Sequence, residues 1–137
     1  MERQYPVKVL VAWGEAISGN RELRDWLLGN GFPELGLFVH AMHNQQSARE
    51  WLQQEGFPEL MALCCGTEGD ARAVQWLLNH GHITLANMAR AADNDDDAMR
   101  ILMEEPDRIW ATLALKMRSI KNGIEERHND WHSFNKD

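Results

Sequence analysis

Three groups of side chains in this sequence have the type and spacing to do chemistry. His128 and His132 stand four apart with Glu125 nearby, so on a helix the two imidazoles share a face and can ligate a metal ion. No third ligand is set by spacing, and the H-x-x-x-H pattern alone is weak. Cys64 and Cys65 are neighbours that point in different directions on a helix and form no disulfide framework. Cys64 falls among apolar positions, so a buried small hydrophobe is expected there rather than a reactive thiol. His80 and His82 flank Gly81 at a helix end, where capping a carbonyl or facing water is expected of both. No Ser/His/Asp order, phosphate-cradling glycine loop or paired-carboxylate motif stands out. No catalytic residue, metal ion or cofactor is therefore expected.

The elements that carry these residues repeat. Asp70 to Gly81, DARAVQWLLNHG, aligns without a gap with the segments one period of 25 residues away: QSAREWLQQEG before it, and NRELRDWLLGNG before that. The next segment forward is DDAMRILMEEP. A fixed period over most of a chain is one supersecondary unit stacked on itself. The units run 7–31, 32–56, 57–81 and 82–106. Their apolar columns are Leu10, Leu35, Leu60, Leu85; Leu27, Leu52, Leu77, Leu102; Trp26, Trp51, Trp76, Ile101; and Trp13, Phe38, Leu63, Met88, which continues to Leu113. Within a unit the apolar positions fall three and four apart, the spacing of a helical stripe.

Turn residues divide each unit into two helices. Gly19, Asn44, Gly69 and Asn94 are the types that tolerate a left-handed backbone, which ends a helix and satisfies its last carbonyls. Asn20, Gln45, Asp70 and Asp95 follow as N-caps, with Gln45 the weak member. Gly31, Gly56 and Gly81 end the second helices, and Pro33 and Pro58 restart the chain in a first helical turn, where a missing N–H is harmless. Helices of roughly ten residues do not persist alone in water. Close packing through Ala16, Ala41, Gly66 and Ala91 must hold them, and Trp26, Trp51 and Trp76 are expected to fill the core between layers.

AVQWLLNHG, Ala73 to Gly81, with Gly69-Asp70 before it, resembles the second helix of an ankyrin repeat and the turn that precedes it. The units are shorter than that family's, and the Thr-Pro-Leu-His opening is absent. The resemblance implies the helical pair without the projecting β-hairpin. The expected fold is all-α: an ankyrin-like α-solenoid of stacked antiparallel helix pairs in a single domain. A C-terminal capping helix over about 107–122 follows, ending at Gly123 before a polar tail, 123–137.

Composition narrows the function. A net charge of −7 lacks the basic footprint that nucleic acid requires. No apolar run is long enough to span a bilayer, and the first residues lack a secretory signal, so a cytoplasmic location without membrane contact is expected. Asp95 to Asp97 sit at a helix N-terminus, where negative charge is stabilising.

Stacked pairs present the same column of every unit on one surface, and such surfaces are used for binding. In the first helix of each unit the positions expected to face away from the core are Val11, Glu15, Ser18; Gly36, His40, His43; Met61, Cys65, Glu68; and Ala86, Arg90, Asp93. These columns share a position but not a chemistry. The expected role is a non-enzymatic protein-interaction module, with another protein as partner. Its candidate binding residues are Glu15, His40, His43, Met61, Glu68, Arg90 and Asp93. A small metal-binding protein or enzyme using the His-bearing C-terminal segment remains the alternative.

Overall fold

The computed structural model describes the backbone of residues 5–106 and 108–136, and the side chains of residues 5–106 and 108–124. Every regular element among them is helical. The helices are α1 (Val7–Ile17), α2 (Arg21–Gly29), α3 (Pro33–Met42), α4 (Gln46–Gln54), α5 (Pro58–Thr67), α6 (Ala71–Asn79), α7 (Ile83–Ala92), α8 (Asp96–Met103) and α9 (Ile109–Lys136).

Local chemistry accounts for the boundaries. Gly19, Asn44, Gly69 and Asn94 have φ of 110°, 62°, 99° and 71°, and Gly31, Gly56 and Gly81 have 94°, 87° and 79°. Asn20 accepts from the Leu23 N–H at 3.0 Å, and Asp70 and Asp95 each accept from two N–H groups of the following turn. Gln45 makes no side-chain cap, yet α4 begins in register. Neighbouring packing therefore outweighs a cap worth about 1 kcal/mol.

The first helices of successive pairs, α1, α3, α5 and α7, pack side by side, and each second helix packs on the first helices that flank it. Helix α9 takes the fifth place in the inner row. It packs against α7 and also against α1, so the row closes on itself. Trp13, Phe38, Leu63, Met88 and Leu113, one from each inner helix, are all fully buried, and Trp13 meets Phe38 edge-on with ring centroids 5.2 Å apart. Ile17, Met42, Thr67, Ala92 and Met117 form a second buried tier, in which Thr67 returns its hydroxyl to the Leu63 carbonyl at 2.9 Å. Gly36 and Gly66 mark close approaches: a Cβ would lie 2.7 Å from the Leu28 side chain at the first and 2.9 Å from Ala89 Cβ at the second.

Four expectations are corrected. The tryptophan column is equivalent but is not core. Trp26 is 41% exposed, while Trp51 and Trp76 are half-buried at the outer layer. Each stacks on the ring six residues ahead, Phe32, Phe57 or His82, with interplanar angles of 19°, 9° and 16°. His82 is accordingly buried in a phenylalanine position and does not face water, while His80 does meet the Trp76 carbonyl at 2.8 Å. Helix α9 runs through Gly123 without a break. The columns expected to face away from the core are not a free outer face, because Gly36 and Ala86 are buried under the second helices.

Candidate functional site

Of the remaining members of those columns, His40 and His43, Met61 and Cys65, and Arg90 and Asp93 line three crevices between neighbouring helices. One crevice, of about 320 Å³, lies between the start of α2 and the end of α3, lined by Asn20, Arg21, Arg24, His40, His43 and Gln45 among others. Its repeat equivalent, of about 310 Å³, lies between the start of α6 and the end of α7 and is lined by Asp70, Val74, Gln75, Arg90 and Asp93. A third, of about 460 Å³, opens between α4 and α6, with Met61, Ala62 and Cys65 as floor and Trp76 and Ala73 as wall. The α2–α3 and α6–α7 crevices share one frame, and their floor residues give each its own chemistry.

Three of the candidate residues are ion-paired. Glu15 lies 3.6 Å from Lys116 of α9. Asp93 accepts from Lys121 of α9. Beside it Asn94 and Asn122 exchange side-chain hydrogen bonds at 3.3 Å, and Arg118 donates to the Ala91 carbonyl at 2.8 Å. These contacts anchor α9 to the α7–α8 turn. Glu68 accepts from Arg49, whose Nε also donates to the Ala41 carbonyl at 3.1 Å and whose other nitrogen reaches Asn44 Oδ1 at 2.9 Å. Arg49 thereby fills the space between the start of α4 and the end of α5 that stays open at α2–α3 and at α6–α7.

His40, His43, Met61 and Arg90 line the open crevices. Partial burial, then the neighbouring charges of Arg24 and His43, hold the His40 imidazole below the ordinary histidine value, with Asp25 opposing. Burial pushes the Cys64 thiol up to about 12, so it is a packed thiol and not a nucleophile. Cys65, on the crevice floor, is likewise raised by burial. Among the described residues no group of His, Cys, Asp or Glu is placed to hold a metal ion. His128, His132 and Glu125 lie outside the described side chains.

Sequence reasoning missed Arg24, Arg49, Trp76 and Lys116 as crevice or seam residues. A signal existed: Arg24 and Arg49 share a column, as do His43, Glu68 and Asp93. Nothing in the period says that these two columns face each other across adjacent units.

Among the described residues no helix is long and apolar enough to cross a membrane. Comparison with protein-family models, with curated proteins and with solved structures finds no match to this chain.

Proposed function

We propose that this chain is a non-enzymatic protein-interaction module, an adaptor, regulator or inhibitor, built as a short ankyrin-like array of helical pairs. The observation that carries the reading is the contrast between frame and floor. The buried columns of the units are close to interchangeable. The crevices are lined by arginine and histidine beside α2, by thioether and aromatic groups beside α6, and by groups of mixed charge beside α7. A scaffold that holds geometry constant while varying surface chemistry is suited to reading several side chains of one partner segment. The cytoplasm is the compartment in which we place this activity.

Selection from a displayed random-peptide library against the folded chain tests it. The expected result is enrichment of peptides that lose binding to a variant carrying Arg24→Glu, Met61→Glu and Arg90→Glu together. Enriched peptides that bind this variant as well as the parent chain, or no enrichment at all, would overturn the proposal.

A further inference from the structure

The chain contains its own template for what the α2–α3 crevice accepts. Arg24 and Arg49 occupy the same position of successive units, and so do His43 and Glu68. In the α4–α5 pair the Arg49 guanidinium, its side chain only 13% exposed, is held by the Asn44 side chain, the Ala41 carbonyl and the Glu68 carboxylate. One unit earlier the same frame carries Arg24, 25% exposed, whose side chain lies 3.3 Å from Asp25, the residue next to it on α2. Where Glu68 would stand there is His43, and His40 takes the place of Cys65. Among the described residues no carboxylate lines this crevice, whereas Asp70 and Asp93 line its counterpart at α6 and α7. Arg21 and Arg24 bring positive charge to it in a chain of net charge −7, with Asp25 paired to Arg24 beside it.

We propose that the crevice formed by Arg21, Arg24, His40 and His43 binds a glutamate or aspartate side chain of a partner polypeptide, in the place that Glu68 takes beside Arg49. The inference rests on the interaction-module reading and names the partner's chemistry. An arginine fork matches a carboxylate in two parallel hydrogen bonds, and a half-buried site strengthens each of them. His40 adds a donor on the crevice floor once protonated, and a bound anion favours that protonation. A partner segment with an acidic side chain at this crevice and an apolar one at Met61 and Trp76 would use both floors at once.

The test uses the full chain and three short labelled peptides identical except at two central positions, which are glutamate, glutamine or phosphoserine. Fluorescence anisotropy reads affinity, and NMR shifts of the His40 ring and the Arg24 Nε–H locate the contact. The glutamate peptide is expected to bind and to shift both signals. Its affinity should fall at least about ten-fold with Arg24→Gln, and again in raised salt. His43→Glu should install the missing carboxylate in cis and abolish binding while leaving thermal stability unchanged or raised. Glu68→His should free Arg49 and create a second, weaker site. Equal binding of the glutamine peptide, binding by the phosphoserine peptide alone, or shifts mapping elsewhere would each overturn the proposal. If no acidic peptide binds but library-selected peptides still engage the other crevices, the carboxylate site is wrong and the interaction-module reading stands.

Discussion

Lys116 of α9 donates to the Ser18 hydroxyl at 2.9 Å, joining residues 98 positions apart in sequence. The same ammonium lies 3.6 Å from Glu15, and below it Leu113 packs toward Gly14, where an added Cβ would come within 3.3 Å of the leucine. The last helix therefore seals the first, and no end of the inner row is left open.

This closure makes α9 part of the core. Leu113→Ala should cost about 2–5 kcal/mol, the range for a fully buried leucine whose surroundings collapse only partly. Lys116→Ala, which removes partly exposed pairing, should cost less than about 1 kcal/mol. Chemical denaturation of both variants checks the ordering, and equal losses would show that α9 is held by its seam contacts alone.

The tryptophans should separate by tier. Trp13, fully buried, should lose about 3–5 kcal/mol on replacement by alanine. Trp26→Ala should lose much less, about 0.5–1.5 kcal/mol for the stack on Phe32 together with some area. Thermal melts of the two variants give the comparison, and a Trp26 loss as large as that of Trp13 would contradict the outer placement.

Turn chemistry sets a third expectation. Gly81 has φ of 79° and open space around an added Cβ, so Gly81→Ala should cost about 1 kcal/mol from backbone strain alone. Asp70→Ala removes the acceptor of the Arg72 and Ala73 N–H groups and should cost a similar amount, about 1 kcal/mol. The two losses should add in the double variant, since one acts at each end of α6.

The depressed His40 gives a pH dependence with a definite sign. Its folded value lies below the ordinary histidine value, so the unfolded chain binds the proton more readily. His40's contribution is thus fully present above that unfolded value and is lost as pH falls from it through the folded one. Stability of the parent chain should decline over this window more than that of His40→Gln. Parallel melts across the window test it, and identical slopes would remove His40 as the cause. Binding of an acidic peptide should run the other way, strengthening as the imidazole charges.

The boundaries of α1 to α8, the left-handed turns and the innermost buried column were legible in the sequence because each is decided locally or by period, whereas α9 runs on past the expected stop at Gly123. Asn20, Asp70 and Asp95 cap the N–H groups within three residues of themselves. Trp13, Phe38, Leu63, Met88 and Leu113 share an environment because they share a position in equivalent helices. What the period leaves open is how far each pair rotates relative to the last. That rotation follows from side-chain volumes at close approaches such as Gly66 against Ala89 and Gly36 under Leu28. It brings α9 back to α1, leaves Trp26 at the surface, and sets Arg49 opposite Glu68 but Arg24 near His43. Equivalent positions made the crevices, and tertiary packing decided which of them the chain fills with its own side chains.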